Sequence, residues 1–415
     1  MEGNIFIHNI GTLITSREIP KNETMSSMEN IEVLKEAYVL IENGIIKKVG
    51  VGDFTLENRE DFIVIDAGGK VVSPGLIDAH THLVFGGSRE NEMFLKMKGY
   101  TYMDILNSGG GILSTVKATR KATFEELVEK SKKVLDNMLS FGVTTVEAKS
   151  GYGLNLETEI KQLEVNKKLN EIHPIDIVST FMGAHAVPME LKGKEELFID
   201  EIIEMLPEIK KQNLAEFCDI FCEEGVFSVE SSRKLLNKAK EYGFKLKIHA
   251  DEIVSIGGAE LAGEIGATSA EHLMAISTKG IDELYENKVV ANLLPATSFY
   301  LKKEYAPARE MIKKGVDIAL STDYNPGSCP SENLQLVMQI AALYLKMSPL
   351  EVFKAVTING AKALDREREI GSIECGKRGD IVIYDAFNPE YILYHFGISH
   401  TQCVIKNGEI VYRTR

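Results

Sequence analysis

The chain has 415 residues, a length typical of roughly two or three domains and ample for a large buried core. It carries 47 Lys and Arg against 61 Asp and Glu, and the resulting net charge of −14 argues against nucleic acid or an anionic membrane as a partner. Five cysteines without a Cys-x-x-Cys pair, no apolar run of about 20 residues and no evident signal peptide predict a reduced, cytoplasmic protein.

Residues 1–70 are predicted to form β-structure. Short β-prone runs at 37–41, 44–49 and 62–66 are separated by Asn-Gly and Gly-Gly turn signals. The segment 366–415 returns to this pattern, with Asn407-Gly408 as a hairpin signal. Because neither end of the chain is long enough for a sound core of its own, we expect the two segments to pair into one small β-sandwich.

Between these segments, residues 71–365 alternate strands with amphipathic helices. Eight strands are predicted, with helices between most of them, and this pattern fits an α/β fold of the (β/α)8 barrel type. A doubly wound open sheet is the rival arrangement, but no Gly-x-Gly-x-x-Gly fingerprint follows an early strand. The predicted strands lie at 76–79, 143–148, 176–181, 217–221, 245–249, 267–270, 289–293 and 317–321.

The first predicted barrel strand leads into His80 and His82. Side chains two apart in a strand point to the same side, so both imidazoles are expected at one point at the carboxyl end of this strand. In a barrel, that end of each strand lies on the reactive face. The pair therefore predicts half of a metal site.

Later strand ends add further candidate ligands. His249, His272 and Asp323 each close a predicted strand, and His185 follows another. For His249 and Asp323 the alternatives are a core histidine and a helix N-cap, but their joint position at strand ends favours a metal site. Three neutral imidazoles and one carboxylate suit zinc or ferrous iron, with a coordination position left for water.

Several motifs resemble the amidohydrolase superfamily, and the resemblance covers nearly the whole chain. They are the run Pro74–His82, the strand ends at His249, His272 and Asp323, and the tail 371–380. The resemblance implies a (β/α)8 barrel beside a split β-sandwich. Members with two metal ions carry a carboxylated lysine at the end of the fourth strand, and the matching stretch 216–224 holds no lysine. One Zn2+ or Fe2+/Fe3+ per chain is therefore implied. Its implied ligands are His80, His82, His249 and Asp323.

Five longer blocks resemble more closely the amidohydrolases of histidine degradation that open an imidazolone ring. These blocks lie at 83–90, 109–115, 149–154, 181–186 and 323–328. The resemblance implies hydrolysis of the lactam C–N bond of 4-imidazolone-5-propanoate to N-formimidoyl-L-glutamate by a homodimer. The implied substrate contacts are Arg89, Tyr102, Tyr152, His185, Glu252, Asn325, Gly327 and Ser328.

The residues also suggest how such a reaction would run. Asp323 is expected to accept a proton from the attacking water and His272 to stabilise the oxyanion. Glu252 is expected to help protonate the leaving nitrogen, with Asp323 as the alternative donor of that final proton. Since the protein itself is acidic, an anionic substrate needs a local cation, and Arg89 offers planar, bidentate recognition of a carboxylate. The alternative for Arg89 is a solvated residue that opens a helix capped by Ser88.

Two other function classes are compatible with the same residues. A metal-dependent deaminase on the same barrel would also use His249-x-x-Glu252, against a nucleobase amidine, and would release ammonia. Ring opening, by contrast, retains every nitrogen in one product. A non-catalytic scaffold on this fold should have lost metal ligands, whereas all four ligand positions are filled here.

Overall fold

The computed structural model describes residues 3–20, 25–100 and 110–414. The strands are β1 (Ile5–Glu18), β2 (Ile31–Glu42), β3 (Ile45–Val51), β4 (Ile63–Asp66), β5 (Val71–Pro74), β6 (Leu76–Asp78), β7 (Val143–Lys149), β8 (Asp176–Ala184), β9 (Phe217–Cys222), β10 (Lys245–Ala250), β11 (Ser269–His272), β12 (Val290–Leu293), β13 (Ile318–Leu320), β14 (Ile381–Tyr384), β15 (Thr401–Lys406) and β16 (Glu409–Arg413). The helices are α1 (Glu90–Met97), α2 (Ile112–Lys121), α3 (Phe124–Ser140), α4 (Leu156–Ile172), α5 (Glu195–Lys211), α6 (Val229–Glu241), α7 (Gly258–Ile265), α8 (Thr278–Glu286), α9 (Pro295–Leu301), α10 (Ala308–Lys314), α11 (Leu334–Tyr344), α12 (Pro349–Ala355), α13 (Ile358–Ala363) and α14 (Pro389–Tyr394).

Strands β6 to β13 form a parallel sheet in which chain order is also spatial order. The sheet closes just past its first and last strands, where His82 N donates to Tyr324 O at 2.9 Å and Asp323 N donates to His80 O at 3.0 Å. Most residues of these strands are buried, as expected for parallel strands covered on both faces. The predicted (β/α)8 barrel is thereby confirmed, and the doubly wound open sheet is excluded.

The helices between barrel strands begin at capping residues. Thr123 and Glu126 form a capping box at α3, while Asn155 and Ser228 cap α4 and α6 through their side chains. These caps fix where each helix leaves its loop, and so where the preceding strand end lies. Among the described residues, none of the helices combines the length and apolar character that crossing a membrane requires.

The second sheet is mixed and combines both terminal segments. Its order is β16-β15-β14-β5-β1-β2-β3, with β4 paired to β1. The central strand β5 follows the boundary predicted at residue 70; it runs parallel to β1 and antiparallel to β14, where Val382 lies opposite Ser73. The expected pairing of the two terminal segments beside the barrel is thus confirmed, and they form one continuous sheet. It buries an apolar cluster that includes Ile7, Val39 and Ile383.

Two Asn-Gly turns hold the terminal segments together. Asn43-Gly44 joins β2 to β3 and Asn407-Gly408 joins β15 to β16, and all four residues have left-handed backbone. A Cβ atom on Gly44 would lie 2.6 Å from the carbonyl oxygen of Asn407, so the turns touch backbone to backbone. The hairpin predicted at Asn407-Gly408 is confirmed.

Candidate active site

Four of the predicted site residues converge at the carboxyl ends of the barrel strands. His80 and His82 follow β6, His249 lies in β10 and Asp323 lies just past β13. Asp323 Oδ1 is 3.4 Å from His80 Nε2 and 3.7 Å from His82 Nε2. The ring centroids of His80 and His249 are 4.6 Å apart, and all four side chains are buried. We refer to these four residues as the metal cluster.

The metal cluster has the properties that a divalent ion requires. Candidate ligand atoms of His80, His82 and Asp323 lie within 4.8 Å of one another. Nε2 of His80 and Nε2 of His249 are buried and have no hydrogen-bond partner among the described residues. Burial, followed by the charge of neighbouring groups, holds the pKa of His80 and of His82 well below the usual value, so both rings are neutral and offer a lone pair. These residues therefore fit a metal ion.

His272 and Glu252 lie beside the metal cluster. The His272 ring centroid is 5.2 Å from that of His249, and Glu252 Oε2 is 3.6 Å from His272 Nε2. Burial raises the pKa of Glu252 to about 7 and lowers the pKa of His272 to about 3. Glu252 can therefore exchange a proton near neutral pH, while His272 is a neutral hydrogen-bonding ring.

The backbone is strained at two of these strand ends. His272 has a φ of 71° and Asp323 a φ of 54°, both in the left-handed region. A residue other than glycine pays about 1–3 kcal/mol for such a conformation. Strain of this kind concentrates at functional sites, where the surrounding structure imposes it.

Tyr152 and His185 form one wall of the site. The His185 ring stacks on that of His82, with centroids 4.5 Å apart and planes inclined by 10°, and the Tyr152 ring centroid is 5.1 Å from that of His185. Gly151 has a φ of 111°, and a Cβ atom there would lie 2.9 Å from the Cβ atom of His185. Glycine at this position lets the loop pass close enough for the two rings to meet.

Two residues that the sequence analysis missed hold the loop that carries Tyr152. The buried Glu159 carboxylate accepts hydrogen bonds from the backbone N–H groups of Gly151 at 3.0 Å and of Gly153 at 2.8 Å. Gln162 accepts one from the N–H of Tyr152 at 3.1 Å. Both lie on the buried face of α4, where polar side chains are unusual, and this was the available signal.

Arg89 is partly buried at the start of α1. Its side chain is 12% exposed, and Nη2 lies 2.7 Å from Glu92 Oε2. The N–H of Gly111 donates to the other carboxylate oxygen of Glu92 at 2.6 Å. A Cβ atom on Gly327 would lie 2.2 Å from Arg89 Nη1. The guanidinium is therefore packed against the loop that follows Asp323. This packing differs from the alternative, in which Arg89 would be a solvated residue at the start of a helix.

The remaining predicted substrate contacts lie in that loop or outside the described residues. Asn325 Oδ1 accepts from the N–H groups of Gly327 and Ser328, each at 2.8 Å, and Asn325 Nδ2 donates to the carbonyl oxygen of Asp323 at 2.7 Å. Asn325 thus shapes the turn that brings Gly327 against Arg89. Tyr102 falls outside the described residues.

An eight-stranded parallel barrel with such a His/Asp cluster at its strand ends defines a metal-dependent hydrolase. A profile of the amidohydrolase family matches residues 71–411. A protein of Fusobacterium nucleatum subsp. nucleatum named imidazolonepropionase is 59% identical over 414 residues, covering 100% of both chains. A protein of Alkaliphilus oremlandii with the same name is 56% identical, covering 99% of this chain and 98% of its own. The chain belongs to the amidohydrolase family and, within it, to the imidazolonepropionases.

Among solved structures, the guanine deaminase of E. coli superimposes with a TM-score of 0.73. The match covers 99% of both chains at 16% sequence identity. At this identity the likeness concerns the fold alone.

Proposed function

We propose that this chain hydrolyses the lactam C–N bond of 4-imidazolone-5-propanoate to give N-formimidoyl-L-glutamate, a step of histidine degradation. The observation that carries the proposal is full-length identity of 59% to a protein named imidazolonepropionase. The site is compatible with this substrate, because a buried cluster able to hold a metal ion lies beside the rings of Tyr152 and His185.

The metal ion is proposed to be a single Zn2+ or iron ion held by His80, His82, His249 and Asp323. Such an ion, when bound, lowers the pKa of a water molecule to roughly 7 and polarises the substrate carbonyl. In support of one ion, the fourth barrel strand β9 contains no lysine that could carry a bridging carboxylate.

Asp323 is the proposed base. Thr297 Oγ1 donates to Asp323 Oδ2 at 2.7 Å, which leaves Oδ1 directed to the histidines of the cluster. Burial raises the pKa of Asp323, so this carboxylate accepts a proton more readily than an exposed aspartate does. It takes one proton from the attacking water as the new C–O bond forms.

His272 and Glu252 complete the reaction. The neutral His272 ring donates a hydrogen bond to the carbonyl oxygen, on which negative charge develops as water attacks. Glu252 delivers a proton to the ring nitrogen as the C–N bond breaks. One water is consumed, its oxygen stays on carbon, and every nitrogen is retained in the product.

Substrate recognition is assigned to two sides of the site. Arg89 binds the propanoate group, with Gly327 and Ser328 in the adjoining loop, while Tyr152 and His185 contact the ring. We also infer that the enzyme is a cytoplasmic homodimer. The thiols of Cys218, Cys222, Cys329, Cys375 and Cys403 are free, as in a reducing compartment.

The test is to supply purified enzyme with 4-imidazolone-5-propanoate, to identify the product by mass spectrometry and to assay ammonia in parallel. We expect formimidoylglutamate and no stoichiometric ammonia. Release of one ammonia per nucleobase, with the imidazolone untouched, would instead establish the deaminase. Elemental analysis should find about one zinc or iron per chain, and chelation should abolish turnover; two tightly bound metals would contradict the single-ion proposal.

A further inference from the structure

A continuous row of buried charges lies beside the metal cluster. Lys149 Nζ is 2.7 Å from Asp219 Oδ2 and 2.9 Å from Glu147 Oε2. Lys247 Nζ is 3.4 Å from Glu147 Oε1 and 3.7 Å from Glu271 Oε1. All five side chains are 0% exposed. We refer to these five residues as the charge row.

Both ends of the charge row reach a histidine of the metal cluster. Glu271 Oε2 lies 2.8 Å from His80 Nδ1. Asp219 Oδ2 lies 3.0 Å from His249 Nδ1, within hydrogen-bonding distance but off the line of an ideal hydrogen bond. In both rings a carboxylate lies beside Nδ1 and Nε2 has no hydrogen-bond partner among the described residues, although the His249 Nδ1 contact lacks hydrogen-bond geometry. Both ends therefore place a carboxylate beside Nδ1, but only the contact of Glu271 with His80 has hydrogen-bond geometry.

Strand alternation explains how the barrel assembles this row. Glu147 and Lys149 are two residues apart on β7, and Lys247 and His249 are two apart on β10, so each pair points to one side of its strand. In the register of β10 and β11, His249 lies directly opposite Glu271. The five charges thus come from β7, β9, β10 and β11 of one sheet.

Buried charges require opposite charges or hydrogen bonds around them, because burial removes their hydration. The row holds two ammonium groups and three carboxylates, which leaves one negative charge in excess. A divalent cation beside His80 and His249 would offset that charge.

We propose that Asp219 and Glu271 are positioning residues for the metal ion, an inference that rests on the metal-dependent function proposed above. Each carboxylate accepts a hydrogen bond from the Nδ1–H of one histidine and so favours the tautomer in which Nε2 offers its lone pair. Lys149 and Lys247, joined by Glu147, hold the two carboxylates in place.

The test compares the Zn2+ affinity of Asp219→Asn and Glu271→Gln with that of the unaltered protein, by competition with a chelator. An amide can present its N–H2 group to Nδ1 and thereby favour the wrong tautomer. We expect each variant to bind Zn2+ about 10- to 100-fold more weakly. Unchanged affinity in two folded variants would overturn the proposal.

Asp380→Asn is the matched control. Asp380 Oδ2 lies 2.6 Å from Lys406 Nζ, and both side chains are almost fully buried, so this variant also loses a buried lysine–aspartate pair. Among the described residues, Asp380 contacts none of the metal-cluster histidines. The Zn2+ affinity of the Asp380→Asn variant should therefore stay unchanged. An equal loss of affinity in this control would assign the effect to general destabilisation and overturn the proposal.

A second measurement needs no variant and therefore remains informative even if a variant does not fold. In the unaltered, zinc-free protein with 15N-labelled histidine, the rings of His80 and His249 should carry their proton on Nδ1, and Zn2+ should shift their Nε2 signals. A proton on Nε2 of either ring would overturn the proposal. Neither measurement uses a substrate, so failure of the imidazolone assay with both results intact would reject the proposed function alone.

Discussion

Glu252 Oε2 lies 3.6 Å from His272 Nε2, although the two residues follow different strands of the barrel. Their proximity depends on the register of β10 and β11, in which Ala250 lies opposite His272. The proposed proton donor and the proposed oxyanion donor therefore lie side by side at the carboxyl ends of adjacent strands.

The first prediction concerns the pH dependence of Glu252. Because its pKa is raised to about 7, the carboxyl group is protonated below that pH and ionised above it. As a proton donor it works in the protonated form, so kcat/KM should fall as the pH rises through about 7. Glu252→Gln should lower kcat about 10²- to 10⁴-fold, and its residual rate should lack that fall. A fall of the same shape in the variant would assign the ionisation to another group.

The second prediction concerns Arg89. Removal of one charged hydrogen-bonding partner costs about 1.5–3 kcal/mol, or roughly 10- to 150-fold in binding, so Arg89→Ala should raise KM by that factor. Arg89→Lys should recover little, because an ammonium cannot bind a carboxylate in a bidentate manner. Steady-state kinetics on a ring analogue without the carboxylate should show almost no change. Equal losses on both substrates would make the contact with Glu92 the main role of Arg89.

The third prediction concerns Gly327. Because an added Cβ would lie 2.2 Å from Arg89 Nη1, the guanidinium must move in Gly327→Ala. KM should rise for the natural substrate more than for the analogue without a carboxylate, as in Arg89→Ala. The double variant should be no worse than Arg89→Ala alone, since both changes act through one group. Additive effects in this cycle would show that Gly327 acts independently.

The fourth prediction concerns the Asn-Gly turns of the mixed sheet. Gly44 and Gly52 have nearly the same backbone, with φ values of 77° and 76°, but a Cβ on Gly52 meets nothing within 4 Å. Alanine at either position pays about 1–2 kcal/mol for left-handed backbone. Gly44→Ala also forces the two turns apart, so the free energy of unfolding measured in urea should fall by about 1–3 kcal/mol more than in Gly52→Ala. Equal losses would show that the turn contact contributes nothing.

Much of the fold was visible in the sequence, because short strand-like runs alternate with amphipathic helices and several of these runs lead into His or Asp. The spacing of His80 and His82 also placed two candidate ligands on one side of a strand end. The charge row was not predicted, since Lys149 meets Asp219 and Glu147 meets Lys247 only once the barrel has formed, from strands β9 and β10 that are not adjacent to β7 in the sheet. The signal for the charge row was the presence of charged residues within largely apolar strands, but which of these residues pair depends on how the strands are arranged in the barrel.

The place of β5 in the middle of the mixed sheet has a consequence for how the protein is made. Its partner on one side, β14, follows the whole barrel in the chain, so Ser73 leaves the ribosome long before Val382 does. At about 5–20 residues per second, translation of the roughly 300 residues between them takes about 15 to 60 seconds. During that interval the nascent chain presents an open strand edge, which is a template for unwanted pairing. Growing chains of this protein are thus most exposed to aggregation before their final strands are translated.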